Sequence, residues 1–448
     1  MKNSVRSKTN PEWLTAVVAN SDGEIFELEG YAAVGMSGAV LKPLMVNETQ
    51  SLPFGSELML LPDRKPILYH VQSGQFEVKT HNPYCPSETL YPVAAFNSPG
   101  YIVTQISGYQ ATNQVKPLPL FSYGAVGWHQ DVFRSAVFCV DRERRQDLRL
   151  MKKRHVIAGV ESMRKKLPGN RLRKHLETCA LTYGCPAGKN FFLGRYEAPL
   201  PSAGACNAQC LGCLSLQKNK EISCSQERIS FTPQPEEIAA VALIHIKHVA
   251  KGIVSFGQGC EGDPLLAAHV IDPAVRLIRS KTSKGTIHVN TNGSLTKELE
   301  RLIAAGIDSV RISINSFREK WYQAYFRPQG YAFSDVMNSI ELSLDKGLYV
   351  SINYLNMPGV TDTPEELESL LSFLKSYPIH RIQWRNLNFD PLQYFQTMRR
   401  AASCKEALGV PYLLKYIQKE FPGLSFGYFN PPREKWGFMK NIKSKAKT

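Results

Sequence analysis

The stretch from residue 188 to residue 390 alternates between short apolar runs and longer segments with helical periodicity. Each apolar run is predicted to be a strand that leads into a helix through a short connection. The predicted strands are 190–196, 252–256, 286–290, 308–314, 349–355 and 379–385. Because parallel strands are joined by right-handed crossovers, this pattern predicts a parallel sheet wound by helices. Ligands of such sheets bind at the carboxyl ends of the strands.

Three cysteines follow the first predicted strand within eight residues, as Cys206, Cys210 and Cys213. Cysteine thiolates hold iron–sulfur clusters, normally with one thiolate for each iron. Three thiolates on a four-iron cluster therefore leave one iron free to take a small chelating molecule. The alternative is a structural zinc site that uses Cys210 and Cys213, but such a site needs a fourth ligand and does not explain the position of Cys206.

The spacing of these cysteines resembles the cluster loop of the radical S-adenosylmethionine (SAM) superfamily, and the resemblance covers residues 188–390. It implies an α/β fold, a partial (β/α)6 TIM-like barrel. It also implies that Cys206, Cys210 and Cys213 bind a [4Fe–4S] cluster whose open iron binds SAM. Reductive cleavage of SAM would then yield a 5′-deoxyadenosyl radical that abstracts hydrogen from a substrate. A flavodoxin- or ferredoxin-type electron donor is implied as a partner.

The loop after the second predicted strand carries glycines and carboxylates that suit a bound ammonium group. Glycine lets the backbone approach a ligand closely, and a carboxylate accepts hydrogen bonds from an ammonium group. The loop resembles the Gly-Gly-Glu-Pro motif of the superfamily, but an extra Cys-Glu-Gly is present and Asp precedes Pro264 where Glu is usual. Glu261 and Asp263 are therefore alternative partners of the SAM ammonium, and Gly257 and Gly259 are candidate SAM contacts.

Polar residues at the ends of the next three predicted strands complete the candidate SAM site. Asn292 lies in a Thr-Asn-Gly segment that the superfamily carries beside SAM. Ser313 and Asn315 alternate with Arg311 along the fourth strand, so all three are expected to face one side. Asn356 follows the fifth strand, where members commonly contact adenine. The loop 316–328 is predicted to cover the substrate, the polar residues of 383–390 are expected to lie opposite it, and no catalytic residue is assigned.

Four further cysteines could take part in metal chemistry. Cys179 and Cys185 precede the barrel segment, Cys224 follows the three-cysteine loop, and Cys260 lies between the glycines and carboxylates described above. An auxiliary metal site is one interpretation, and structural packing is the other. A radical partner is a third possibility for Cys260.

The regions outside the barrel segment carry no assigned activity. Residues 1–140 are predicted to form a β-rich accessory domain, and 141–187 a basic helical linker. Residues 188–390 are the predicted radical SAM barrel, and 391–448 a helical C-terminal extension with a basic tail. The N-terminal residues have no apolar run, so no signal peptide is expected. No apolar run reaches the ~18 residues of a membrane span, and cysteine usage predicts metal binding in a reducing cytoplasm.

The net charge of +15 is concentrated in 141–174 and in the C-terminal tail. Basic patches attract polyanions through long-range fields, but a solvated helix face has the same composition. Three functions therefore stay open. The chain could be a radical SAM enzyme that modifies RNA or a peptide, a radical SAM enzyme that acts on a small metabolite, or a non-catalytic iron–sulfur or zinc protein.

Overall fold

The computed structural model describes residues 12–111 and 115–436. The chain divides into two compact units, which we name the β unit and the barrel unit. The β unit comprises the chain up to residue 116 together with 122–138, and the barrel unit comprises 117–121 and the chain from residue 139 onward. Most of the predicted basic tail lies at 437–448, outside the described residues.

The β unit consists of short strands that pair antiparallel wherever their register is defined. β1 lies near the centre of the largest sheet, paired with β2, β11 and β15. The strands are β1 (Thr15–Ala19), β2 (Ile25–Ala32), β3 (Val34–Ser37), β4 (Val40–Pro43), β5 (Gln50–Ser51), β6 (Glu57–Leu60), β7 (Lys65–His70), β8 (Gln75–Val78), β9 (His81–Asn82), β10 (Cys85–Thr89), β11 (Tyr91–Phe96), β12 (Tyr101–Val103), β13 (Ile106–Ser107), β14 (Tyr109–Gln110), β15 (Val126–His129), β16 (Val132–Ser135) and β17 (Val137–Cys139). The predicted β-rich N-terminal region is confirmed.

The barrel unit is built on a curled, open sheet of parallel strands that neighbour one another in chain order. Its strands are β18 (Glu197–Pro199), β19 (Ile253–Phe256), β20 (Thr286–Thr291), β21 (Ser309–Ile314), β22 (Tyr349–Asn356), β23 (Arg381–Asn386) and β24 (Ser425–Gly427). Parallel strands covered by helices are buried on both faces, which is why β19 reads as the continuous run IVSF with every residue buried. The predicted partial barrel is confirmed.

Helices precede the sheet and connect its strands. They are α1 (Lys153–Lys166), α2 (Arg171–Leu181), α3 (Pro186–Phe192), α4 (Pro235–His248), α5 (Ala268–Lys281), α6 (Thr296–Ala305), α7 (Glu319–Phe326), α8 (Phe333–Asp345), α9 (Pro364–Ser376), α10 (Pro391–Ala401) and α11 (Val410–Glu420). Among the residues that the structure describes, no helix has both the length and the apolar character needed to cross a bilayer.

The first strand of the barrel unit differs from the prediction. Residues 190–196 were expected to be a strand, but α3 ends at Phe192 and the strand begins only at Glu197. Pro186 occupies the first turn of α3, where a missing N–H costs nothing, and Phe191 and Phe192 are buried. A short apolar run does not distinguish a buried helix from a buried strand, so the apolar pattern indicated the wrong element.

One other predicted element is corrected by the structure, and the sheet has one strand, β24, beyond the six of the predicted repeats, because it adds to β23. The predicted substrate-covering loop 316–328 contains α7. The 3₁₀ turn Pro264–Ala267 leads directly into α5, and that helix continues through Pro273.

Candidate functional site

The three cysteines of the loop after β18 line one cavity of about 290 Å³, together with Arg228 and Arg327. Burial raises the pKa of Cys206 to about 11 and that of Cys210 well above its ordinary value, and the mutual repulsion of thiolates acts in the same direction. The thiolate forms of Cys206 and Cys210 are therefore disfavoured without a cation, and a metal ion would stabilise them, because a coordinated thiol loses its proton. The donor set therefore fits an iron–sulfur cluster.

The cysteine loop is fixed to the segment that ends α7. The backbone N–H groups of Gln209 and Leu211 donate to the carbonyl oxygens of Phe326 and Tyr325, at 2.8 and 3.1 Å, and the N–H of Gln329 donates to the Asn207 carbonyl at 2.8 Å. These hydrogen bonds satisfy backbone groups that a curled loop cannot pair within itself. The thiols are thereby held in place by the fold.

Two donors lie close to the sulfur atoms. The backbone N–H of Ala208 is 3.4 Å from Cys206 Sγ, and Arg228 Nη2 is 3.5 Å from Cys213 Sγ. Hydrogen bonds and positive charge near thiolate sulfur stabilise its negative charge and tune the potential of a bound cluster. Arg228 was not among the predicted site residues. No spacing in the sequence indicated it, because it lies fifteen residues after Cys213.

Glu261 is the structural centre of the loop after β19. Its Oε2 accepts the N–H groups of Ser202 and Ala203 at 2.7 and 3.1 Å, and its Oε1 accepts those of Gly257 and Gln258, both at 2.7 Å. A carboxylate has about four acceptor positions, and all of them are filled here. Burial nevertheless raises the pKa of Glu261 to about 7, against the lowering effect of the four N–H groups. Glu261 therefore ties the β19 loop to the β18 loop.

Asp263 has a different environment. It accepts hydrogen bonds from the Thr291 hydroxyl, the Asn292 N–H at 2.6 Å and the Leu265 N–H at 3.0 Å. These three donors leave one of its roughly four acceptor positions open. The charge of Asp263 also contributes to the raised pKa of Cys206, which indicates that the carboxylate is close to the cysteine cavity. Of the two candidate carboxylates, only Asp263 has capacity for a ligand.

The end of β20 is joined to the cysteine loop by side chains. Asn292 Nδ2 donates to Asn207 Oδ1 at 2.9 Å, and Asn207 Nδ2 donates to the Ser294 hydroxyl at 2.9 Å. The loops after the first three strands are therefore one bonded unit. The structure brings eight of the predicted site residues together in these loops. They are Cys206, Cys210, Cys213, Gly257, Gly259, Glu261, Asp263 and Asn292.

Two glycines allow these loops to approach each other. A Cβ on Gly262 would lie 1.8 Å from the Ala205 carbonyl oxygen, and a Cβ on Gly257 would lie 1.8 Å from the Asn290 carbonyl oxygen. Gly257 also has a φ of +79°, in the region that favours glycine. The Asp263 N–H donates to the Ala205 carbonyl at 2.9 Å, so the contact at Gly262 is part of a bonded backbone crossing. A side chain at either position would separate the loops.

The predicted contacts on later strands are less closely grouped. Asn315 lies one residue beyond the end of β21, so the alternation expected from the sequence no longer applies to it. Its Nδ2 donates to the Trp321 carbonyl at 3.1 Å and to the Tyr394 hydroxyl at 3.4 Å, which directs the amide toward α7 and α10. Ser313 is partly exposed on β21, and Asn356 at the end of β22 donates to Asn386 Oδ1 at 3.4 Å. Their contacts with SAM stay predictions.

Two arginines converge on the concave side of the sheet. Arg311 on β21 donates to Gln383 Oε1 on β23. Since β22 lies between these two strands, the side chains meet across it on the concave face of the curled sheet. Arg385 Nη2 donates to the same Gln383 oxygen at 3.2 Å, and its guanidinium stacks 3.7 Å from the Tyr428 ring. Burial and the charge of Arg385 lower the pKa of Arg311. Among the described residues no carboxylate bonds to either guanidinium.

Part of the predicted polyanion-binding surface is neutralised within the structure. Arg164 and Arg173 bond to Glu177, and Arg171 bonds to Glu237 at 2.7 Å. The basic charge that remains on α1 and α2 is smaller than the sequence indicates. This pairing agrees with the interpretation of the segment as a solvated helix face.

The fold and the site define a class of protein, an open α/β barrel that presents three thiols after its first strand. Residues 200–374 match the sequence profile of the Radical SAM superfamily. This segment of the chain is therefore a radical SAM domain, and the cofactors of that superfamily are a [4Fe–4S] cluster and SAM.

Curated relatives match only part of the chain. Over 226 residues it is 26% identical to molybdenum cofactor biosynthesis protein 1 of Mus musculus, covering 49% of this chain and 31% of the relative. It is 28% identical over 181 residues to the FeMo cofactor biosynthesis protein NifB of Klebsiella pneumoniae, covering 37% and 38%. It is 27% identical over 177 residues to GTP 3′,8-cyclase of Heliobacterium modesticaldum, covering 39% and 50%. The chain thus spans half or less of the length of these relatives.

Among solved structures, SuiB of Streptococcus suis bound to its precursor peptide SuiA aligns with a TM-score of 0.38 and 13% identity, covering 58% of this chain and 53% of that chain. The structure of anSMEcpe with bound AdoMet aligns with a TM-score of 0.33 and 19% identity, covering 43% and 52%.

Proposed function

We propose that this enzyme cleaves SAM reductively and abstracts a hydrogen atom from an anionic substrate bound on the concave side of its sheet. When bound, the cluster and SAM supply an electron and a 5′-deoxyadenosyl radical. The protein's contribution is to hold the thiols, orient SAM, position the substrate carbon and exclude water. The observation that supports this proposal is that Cys206, Cys210 and Cys213 line one cavity in a loop bonded to the ends of the next two strands.

In this proposal Asp263 accepts a hydrogen bond from the SAM ammonium group. Glu261 already accepts four N–H groups, whereas Asp263 keeps an open acceptor position beside the cysteine cavity. Asp263 is buried, and its hydrogen-bond partners are neutral N–H and O–H groups. It has no cationic partner among the described residues. A buried carboxylate of this kind gains when an ammonium ion binds, because the new charge compensates its desolvation.

The substrate is proposed to carry a carboxylate or phosphate group that Arg311 and Arg385 bind. Two half-buried like charges that share one neutral acceptor repel each other, and an anion between them removes the repulsion. Arg311 Nε and Arg385 Nη1 are both buried without a hydrogen-bond partner in the described structure, so donors remain for an incoming anion. One curated relative is named for GTP, an anionic nucleotide.

The proposed function is tested by anaerobic reconstitution of the full chain with iron and sulfide, followed by dithionite and SAM. We expect formation of 5′-deoxyadenosine and methionine, measured by liquid chromatography and mass spectrometry. A flavodoxin or ferredoxin is the proposed natural reductant and should replace dithionite in this assay. Properly assembled protein that contains zinc in place of iron at Cys206, Cys210 and Cys213, or that leaves SAM intact, would contradict the proposal.

Asp263→Asn is expected to weaken SAM binding at least about tenfold, because a charge-assisted hydrogen bond contributes roughly 1.5–3 kcal/mol. Isothermal titration of reconstituted protein with SAM measures this affinity, and circular dichroism checks that the variant is folded. Asp272→Asn is the matched control, since Asp272 lies on α5 and bonds to Arg276 and Arg301 at the surface. Unchanged affinity in folded Asp263→Asn would show that Asp263 does not bind the ammonium.

Arg385→Met is expected to reduce the stabilisation of the protein by an added anion. Inorganic pyrophosphate that binds between the arginines should raise the thermal unfolding midpoint of wild-type protein, because a ligand that binds only the folded state stabilises it. The rise should be at least halved in Arg385→Met and unchanged in Arg400→Met, which removes an exposed charge on α10. Equal shifts in all three proteins would mean that the arginine pair does not bind anions.

A further inference from the structure

Helix α2 and the loop after β19 bring together a histidine and two cysteines that the proposed cluster site does not use. His175 and Cys179 lie four residues apart on α2, so they share one helix face. Cys260 approaches them from the β19 loop. The Nε2 atom of His175 is 3.5 Å from Cys179 Sγ, and the ligand atoms of all three residues lie within 4.8 Å of one another. Both thiols are buried, and the imidazole is half-buried.

These distances match the donors of a single metal ion. Tetrahedral zinc, with Zn–S of about 2.3 Å and Zn–N of about 2.0–2.1 Å, places a nitrogen and a sulfur about 3.5 Å apart and two sulfurs about 3.8 Å apart. The ligands of a four-iron cluster lie farther apart, because each thiolate binds a different iron. We propose that His175, Cys179 and Cys260 bind one zinc ion.

The chemistry of the three donors favours zinc over other occupants of the site. One imidazole and two thiolates form the nitrogen–sulfur donor set that zinc takes in tetrahedral sites. A disulfide between Cys179 and Cys260 would leave the imidazole without a role.

A tetrahedral ion needs a fourth ligand, which would be water or a neighbouring side chain such as Cys185. The Cys185 backbone N–H donates to the Cys179 carbonyl oxygen at 2.9 Å, which holds the two residues side by side at the end of α2. The proposed binding of zinc by His175, Cys179 and Cys260 does not depend on the identity of the fourth ligand.

The proposed ion would join α2 to the loop that carries Glu261 and Asp263. Cys260 directly precedes Glu261, so fixing its sulfur restricts the backbone that enters the loop. Structural zinc sites contribute directly to folding free energy. The site shares no ligand with the three-cysteine cavity. Zinc binding and SAM cleavage can therefore each be present or absent on their own, and failure of one proposal would be visible separately from failure of the other.

The test is the zinc content of the full-length protein after equilibration with excess zinc and removal of unbound metal, measured by mass spectrometry of the elements. The measurement is made in the background Cys206→Ala, Cys210→Ala and Cys213→Ala, which removes the cluster site. About one zinc ion per chain is expected. Adding Cys179→Ser and Cys260→Ser should remove it, whereas adding Cys139→Ser and Cys404→Ser, a control pair of partly buried thiols, should not.

A second measurement does not require folding of the ligand variants. Cobalt(II) added to the same background should give the intense absorption of tetrahedral cobalt with thiolate ligands, and zinc should displace it. Absence of this spectrum would overturn the proposal, as would zinc retained in folded Cys179→Ser/Cys260→Ser protein. A disulfide between Cys179 and Cys260, found by mass spectrometry after anaerobic purification and alkylation, would also overturn it.

Discussion

Cys210→Ala is expected to abolish formation of 5′-deoxyadenosine, with a loss of at least about 100-fold. Removing even an outer partner of a metal ligand typically costs 10–100-fold in metal affinity or activity, and Cys210 is proposed to be a direct ligand. Cys210 is half-buried and lines the same cavity as the other two thiols, so the remaining two cysteines cannot surround a cluster from its side of the cavity. Iron and sulfide content after reconstitution and the rate of SAM cleavage measure the effect.

Cys404→Ala is the matched control for this experiment. Cys404 is a partly buried free thiol that does not line the cysteine cavity. We expect its iron content and rate of SAM cleavage to equal those of the wild-type protein. If Cys210→Ala protein cleaved SAM at the wild-type rate, the assignment of the cluster to this loop would be wrong.

Gly262→Ala is expected to destabilise the protein strongly and to disturb the cysteine loop. The added Cβ would lie 1.8 Å from the Ala205 carbonyl oxygen and 2.4 Å from the Ala205 carbonyl carbon, which are backbone atoms that cannot rotate away. Overpacking typically costs 1–3 kcal/mol, so we expect a loss of about 3 kcal/mol or more in the free energy of unfolding. Because Ala205 directly precedes Cys206, the displaced backbone should also reduce the iron bound after reconstitution.

Denaturant unfolding and iron analysis measure these two effects, with Gly204→Ala as the control. Gly204 lies in the same loop, two residues before Cys206, but its Cβ would come no closer than 3.3 Å to a neighbouring atom, the Ile229 carbonyl oxygen. We expect this variant to lose far less stability and to keep its iron. Equal stability of Gly262→Ala and Gly204→Ala would show that the crossing of the two loops is not tightly packed.

The sequence was sufficient to predict the parallel sheet because its information is local. The inner strands of the barrel unit are short and largely buried runs, and most of the connecting helices carry their own apolar period. The prediction was wrong at 190–196, where the apolar run belongs to α3. A run of that length fits either a buried helix or a buried strand, and only its packing against the rest of the barrel unit distinguishes them.

The predicted grouping of site residues followed from topology. Residues after consecutive parallel strands meet at one edge of the sheet, so Cys206, Asp263 and Asn292 could be placed near one another without coordinates. The sequence could not distinguish Glu261 from Asp263, because both are carboxylates in one glycine-rich loop. Only the backbone N–H groups that the folded chain directs at Glu261 show that its acceptor positions are already filled.

The sequence by itself determined which chemistry the chain can support, because three thiols within eight residues must lie near one another in any fold that curls their loop. Tertiary structure alone decided which distant residues complete that chemistry. The His-x3-Cys spacing of His175 and Cys179 was visible on one helix, but Cys260 lies eighty-one residues further along the chain. The contact between Arg311 and Gln383 likewise spans seventy-two residues. Such distant residues come together only when the chain folds to bury its apolar surface. The ends of the long loops between them cannot be predicted to meet from local sequence patterns.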